Sequence, residues 1–439
     1  MNDAIFSQID FGPIKEFLDD DNVTDIEYNN NGQVYIKTLD KGVFRVDRPE
    51  INNTLIEKLA FQCSNVMGKS FNMAHPFLDA ESAELRLNFI HESIATNGIA
   101  VTIRKTPAKI RLNRDKLLSE KYVTENLLDF LITCVKGHCN IIVSGETGSG
   151  KTELVKFLAS HTLENEKIVT IEDTLELHLD RIYPHRSIIA MKTNNIADYA
   201  DVLVTCMRQN PRWILLSEVR SAEAVMSVRN SISSGHSILS TIHSDRAVNI
   251  PMRMYSLLET NLDIDQFLKS IHRYVQLGIH VKGYMSAELG RFQREIVEVC
   301  EFYVDDDNEA KTNILYKKNL DGTITFNNPS KYIRQTLGAQ GIIIEDNIFT
   351  DQDQNTDEEV QNADTGMPAV NTVQEPVQEE VMMPDQNVQI EQQVQAQAPV
   401  YNEQVNQVPP MQNVNMGPVM NQQQPVNNGF NFDENVPQG

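Results

Sequence analysis

The run Gly145-Glu146-Thr147-Gly148-Ser149-Gly150-Lys151-Thr152 fits G-x-x-x-x-G-K-[ST] without a mismatch. The apolar stretch Asn140-Ile141-Ile142-Val143-Ser144 before it reads as a buried strand. Leu154, Val155, Phe157 and Leu158 after it read as the inner face of a helix. Strand, glycine loop and helix form the context in which such a run cradles phosphate. Glycines let successive backbone N–H groups turn toward an anion, and the helix N-terminus adds a favourable field. Lys151 is placed to reach the outer phosphates and the Thr152 hydroxyl to ligate magnesium. We therefore expect a nucleoside triphosphate site at residues 145–152.

Charge divides the chain unevenly. Residues 351–439 hold no Lys or Arg and 14 Asp or Glu, which puts −14 of the formal −23 there and leaves −9 on residues 1–350. About a third of that stretch is Asn or Gln, mixed with Pro, Val and Met. It offers too little apolar surface to offset the entropy of ordering, so we expect residues 346–439 to form a disordered acidic tail. The five cysteines (Cys63, Cys134, Cys139, Cys206 and Cys300) are odd in number and scattered, which suits a reducing compartment. No signal-like leader and no run of 18 apolar residues is seen, so the expected location is cytoplasmic, peripheral to a membrane at most.

Residues 1–105 read as an α+β domain. Ile26 and Tyr28, then Asn29-Asn30-Asn31-Gly32, then Val34 and Ile36 make a hairpin signature. Leu55, Ile56, Leu59, Cys63, Val66 and Met67 follow helical spacing, and strands are expected at 84–90 and 99–104. A basic, proline-marked stretch follows, and residues 106–120 are expected to be a linker. From residue 121 to about 345, helices alternate with short apolar strands at 141–144, 168–171, 213–217 and 238–242. Strands apolar on both faces suit a mainly parallel sheet covered by helices.

Three further clusters fall at strand ends, where parallel sheets collect ligands. Ile171-Glu172-Asp173-Thr174-Leu175-Glu176 supplies carboxylates, and either Glu176 or Glu172 could orient or deprotonate an attacking water. Trp213-Ile214-Leu215-Leu216-Ser217-Glu218 ends an apolar strand in an acid that would hold magnesium directly or through water. Arg220, two residues on, could steady phosphates or a neighbouring subunit. In Gly235-His236-Ser237-Ile238-Leu239-Ser240-Thr241-Ile242-His243, Thr241 and His243 read as γ-phosphate sensors, with His236 the weaker candidate.

These four ordered boxes resemble the secretion or traffic ATPases, the hexameric motors of type II and type IV secretion and of type IV and Flp-type pili. The resemblance spans about residues 10–305, including Asp21-Asn22-Val23-Thr24-Asp25-Ile26. Val101-Thr102-Ile103-Arg104-Lys105 resembles the branch of conjugation-type and Flp-pilus ATPases, and the four-cysteine zinc insert of the other branch is absent. The resemblance implies a PAS-like N-terminal domain and a RecA-like P-loop NTPase domain. It implies ATP and Mg2+ as cofactors, Glu176 or Glu172 as general base, and Glu218 as the magnesium-linked acid. Arg86 and Arg104 match N-domain arginines that reach the nucleotide, within or across subunits. The partners it implies are five further copies of the chain and inner-membrane platform proteins of a secretion or pilus complex. Two rival functions stay open: a RecA-like nucleic-acid translocase, disfavoured by the acidic body and the lack of a basic aromatic stripe, and a nucleotide-gated scaffold that recruits partners through its tail. Nucleic acid is not expected as the direct substrate.

Overall fold

Hydrogen-bond pairing in the computed structural model gathers the strands into two sheets. The structure describes residues 6, 8–194, 196–258, 262–319, 321–345 and 347–349. The expected acidic tail lies outside these residues beyond position 349. No helix among them is long and apolar enough to cross a membrane.

The N-terminal sheet is antiparallel throughout. Helix α1 (Lys15–Asp19) precedes β1 (Val23–Tyr28), β2 (Val34–Thr38) and β3 (Gly42–Val46); helix α2 (Asn53–Met67) is followed by β4 (Phe77–Glu81), β5 (Leu85–Ile90) and β6 (Ala100–Lys105). Their order is β3-β2-β1-β6-β5-β4. The expected hairpin is β1–β2, in which Tyr28 faces Val34 and Ile26 faces Ile36. Helix α2 begins at Asn52, whose side chain accepts the Leu55 N–H, and stops at Gly68 in the left-handed region. Its Ile56, Leu59, Ala60 and Cys63 bury against Leu78, Leu87, Phe89 and Ile103 of the sheet. Strands β3 and β4 were not anticipated. Both lie at sheet edges with part-exposed residues, so neither carries a strong apolar signature.

After α3 (Arg114–Ser119) and α4 (Glu125–Lys136), the second sheet is built from β7 (Ile141–Gly145), α5 (Lys151–Ala159), β8 (Ile168–Glu172), α6 (Leu179–Ile182), β9 (Ile188–Lys192), α7 (Tyr199–Met207), β10 (Trp213–Val219), α8 (Ala222–Ser233) and β11 (Ser237–Ile242). Then come α9 (Ile250–Ser256), α10 (Ile264–Tyr274), β12 (Leu277–Ser286), β13 (Arg291–Val304), β14 (Ala310–Lys318), β15 (Ile324–Phe326) and α11 (Lys331–Gly338). The strand order is β15-β14-β13-β12-β7-β11-β10-β8-β9. From β12 to β9 every pairing is parallel, and β13, β14 and β15 extend the sheet as an antiparallel meander.

Alternation along the central strands explains the layering. Ile141, Val143, Trp213, Leu215 and Leu239 point to a core shared with α4, α5 and α11. Ile142, Ile214, Leu216 and Ile238 point to the opposite core, shared with α7, α8, α9 and α10. A parallel sheet covered on both faces needs such strands, because no face is left for water. Phe349, in the stretch read from sequence as tail, stacks on Phe326 at 4.9 Å and meets Phe130 edge-on at 5.7 Å. The linker region 106–120 contains α3, whose Arg114 pairs with Glu125 and Asp129 of α4.

Leu215 is fully buried at the centre of β10. Leu215→Ala should cost about 2–5 kcal/mol through lost transfer energy and a residual cavity. The half-exposed Val43→Ala should stay within about 0.5 kcal/mol. Urea denaturation of both variants checks the difference.

Candidate functional site

Parallel pairing brings the C-terminal ends of β7, β8, β10 and β11 to one side of the sheet, and the four boxes with them. The glycine run leaves β7 at Gly145, where φ is +151°; Gly148 and Gly150 also take positive φ, +81° and +96°. The approach at Gly145 is close: a Cβ there would lie 2.3 Å from the Val281 carbonyl oxygen and 2.6 Å from Ser149 Oγ. Only glycine fits. Lys151, buried at the start of α5, donates to the carbonyls of Gly145 and Glu146, both at 3.0 Å. Loss of hydration lowers its pKa, with Glu218 and Glu176 acting in the opposite direction. The Thr152 hydroxyl donates to Glu176 Oε2 at 2.9 Å.

The carboxylates separate by environment. Glu172 is buried at the end of β8, and its Oε2 accepts the backbone N–H groups of Glu176 and Leu177 at 2.8 and 3.1 Å. It shapes the turn that presents Glu176, and its pKa is pushed up to about 7, chiefly by desolvation. Glu176 lines the cleft and Glu172 does not. Glu218, at the end of β10, lies 2.8 Å from His243 Nε2, and His243 Nδ1 lies 3.5 Å from Lys151 Nζ. Thr241 is buried, donates to the Ser217 carbonyl at 2.6 Å and borders the cleft. His236 sits just before β11, at the other end of the strand, 2.9 Å from the Pro211 carbonyl. About 20 Å of strand separates two histidines placed this way, so they do not share a site.

The N-terminal sheet brings a row of charges to the same side. In register across β2, β1, β6, β5 and β4 stand Lys37, Asp25, Arg104, Arg86 and Glu81. Residues opposite one another in register share a face. Arg104 Nε donates to Asp25 at 2.9 Å and borders the cleft. Arg86 reaches the Thr174 hydroxyl at 3.1 Å, and Glu81 pairs with Lys192 of β9. Arg220 contacts Asp173. Burial, and then the Arg86 charge, lower the pKa of Arg220.

A cleft of about 740 Å³ lies between these groups. Sequence reasoning missed several of its walls. Arg294 of β13 donates to the Leu39 carbonyl at 3.0 Å, and its Nε lies 3.4 Å from the Gly148 carbonyl. Arg111 Nε and Nη2, the Tyr122 hydroxyl and Ser149 Oγ are buried with no hydrogen-bond partner among the described residues. All but Ser149 belong to residues that line the cleft, and Ser149 is in the glycine run itself. Buried donors left unmatched are costly, and their convergence beside the glycine run fits a polar, anionic occupant. Nothing local in the sequence marks Arg294 or Tyr122; folding brings them together.

Comparison with known proteins agrees with this architecture. The family model described as "Type II/IV secretion system protein" matches residues 72–348, more than half of the chain, and the chain belongs to that family. An uncharacterized protein of Bacillus anthracis is 26% identical over 321 residues, covering 72% of each chain. The type IV secretion system protein VirB11 of Bartonella henselae is 27% identical over 273 residues, covering 54% of this chain and 76% of that protein. Among solved structures, the Legionella pneumophila ATPase DotB shares the fold, with a TM-score of 0.50 at 18% identity, over 70% of this chain and 81% of that one.

The raised Glu172 pKa has a stability consequence. A carboxyl whose folded pKa lies above its unfolded value stabilises fully below the unfolded value, and that contribution is lost as pH rises through the folded one. The window here runs from the ordinary glutamate value of 4.5 to about 7. Glu172→Gln keeps an acceptor but removes the titration. Its stability relative to wild type should increase from pH 4.5 to 7 and level off above, as read by denaturation across that range.

Proposed function

We propose that this protein is an ATPase whose hydrolysis powers macromolecule secretion, conjugative transfer or pilus assembly at a cytoplasmic-membrane complex. One observation carries the reading: Lys151 and Thr152 of the glycine run face Glu176, Glu218 and His243 across a single cleft that also receives Arg104. The VirB11 relative supports the secretion setting, and the valine-to-lysine stretch 101–105 supports the conjugation-type or Flp-pilus branch. The working form we propose is a homo-hexamer, docked on inner-membrane platform proteins from the cytoplasmic side.

In this reading the backbone N–H groups of residues 145–152 and the Lys151 ammonium hold the phosphate chain of ATP. Glu176 orients the attacking water and takes its proton as the new bond to the γ-phosphorus forms and the bond to ADP breaks. Glu172 serves indirectly, by holding the turn that presents Glu176. Arg104, Arg86 and Arg220 offset negative charge on the transferring group, and Thr241 and His243 border it. The oxygen-only set of Thr152, Glu176 and Glu218 suits Mg2+, held through Thr152 and Glu218. That ion would neutralise the charge developing on the phosphates.

Lys151→Ala should abolish ATP binding and turnover. Glu176→Gln should keep ATP affinity while slowing hydrolysis about 100-fold or more, the usual scale for a lost general base. Equal rates for wild type and Glu176→Gln would remove the base assignment. For the assembly, the ATPase rate per chain should rise with protein concentration as light scattering reports a species of six chains. A flat rate on a monomer would overturn the ring motor.

A further inference from the structure

Lys37 is the member of the charge row that sequence reasoning passed over. It lies in β2, half-buried, and its ammonium faces the apex of the glycine run. A Cβ built on Gly148 would stand 2.8 Å from Lys37 Nζ. That ammonium makes no hydrogen bond or ion pair among the described residues. Its in-register neighbour Asp25 is already engaged, accepting from Arg104 Nε at 2.9 Å and from the Thr24 hydroxyl at 2.8 Å. A second link holds this part of the sheet in place: Arg294 joins the Leu39 carbonyl, just after β2, to the Gly148 carbonyl of the loop. Phe292 N–H donates to the Asp40 carbonyl at 2.5 Å beside it.

Lys37, Arg104 and Lys151 thus border one cleft, and among the described residues only Arg104 of the three is paired with a carboxylate. Cations gathered this way repel one another until an anion of matching charge enters. The position of Lys37 over Gly148, in the middle of the glycine run, suits the far end of a phosphate chain that begins on the helix N-terminus.

We propose that Lys37 is a phosphate-contacting residue, supplied by the N-terminal sheet to the glycine loop of the same chain, that distinguishes a nucleoside triphosphate from a diphosphate. The inference rests on the reading of residues 145–152 as the nucleotide site. With ATP bound, the ammonium donates to the outermost phosphate; with ADP it has no partner within reach. The N-terminal sheet then reads the state of the nucleotide within its own chain.

The test is equilibrium binding of a non-hydrolysable ATP analogue and of ADP, each with Mg2+, to the full chain and to Lys37→Ala, Lys37→Arg and Lys151→Ala. Lys37→Ala should weaken the triphosphate analogue about tenfold, the scale of one charge-assisted hydrogen bond, and change ADP affinity less than about twofold. Lys37→Arg should restore most of the loss. Equal weakening of both nucleotides, or of neither, in Lys37→Ala overturns the proposal, as does Lys37→Arg behaving like alanine. The Lys151→Ala control separates the two levels. If it binds both nucleotides as wild type does, the glycine-loop reading fails and the inference with it. If it loses both while Lys37→Ala keeps both, only the Lys37 inference fails.

Discussion

The parallel pairing of β7 with β11 on one side and β12 on the other is the constraint on which the cleft depends. It sets Gly145 against the Val281 carbonyl, so the chain must turn sharply there and can do so only without a side chain. The turn delivers Lys151 to the start of α5, with its ammonium under the loop carbonyls. Parallel pairing of β10 with β11 sets the ends of those strands side by side, which is how Glu218 and His243 meet. A slip of one residue in any of these strands would exchange its two faces between the two cores, so burial enforces the register.

The N-terminal sheet meets this side through charge rather than through a shared apolar core. Its own core closes on α2, and the row Lys37, Asp25, Arg104, Arg86 and Glu81 is what it presents to the strand ends. Contacts such as Glu81 with Lys192 and Arg86 with Thr174 are partly exposed, and exposed pairs of this kind contribute about 0–1 kcal/mol each. Contacts this weak direct the sheet toward the cleft without locking it. The cleft between the two sheets is therefore a place where an anionic ligand has leverage, because it meets cations from both sides.

Much of the second sheet was legible. Four short, mostly apolar runs between helical stretches are the β7, β8, β10 and β11 of the structure, all in the parallel section. What escaped notice shares a physical feature: β3, β4, β9, β14 and β15 lie at or next to a sheet edge, where many of their residues face solvent. Strand β12 escaped for another reason. Its first half, Leu277 to Val281, lies in the core, but Lys282 to Met285 leaves it, so the strand has no single pattern. For the site, Lys151, Thr152, Glu218 and His243 were visible because each stands at a fixed offset from an apolar strand. Glu172 and Glu176 were indistinguishable four residues apart, and only burial of the first and exposure of the second to the cleft separate them.

By itself the sequence determined the chemistry of the strand ends. A glycine run with Lys-Thr in frame and acids closing two apolar strands are local facts, set by neighbours within a few residues. Tertiary structure decided which of those groups face one another and what else joins them. Lys37 and Arg294 lie more than a hundred residues from Gly148 along the chain, yet both reach it. Their position follows from cross-strand register and from how β2 and β13 close over the loop. These are long-range geometric relations, and no local pattern of residues encodes them.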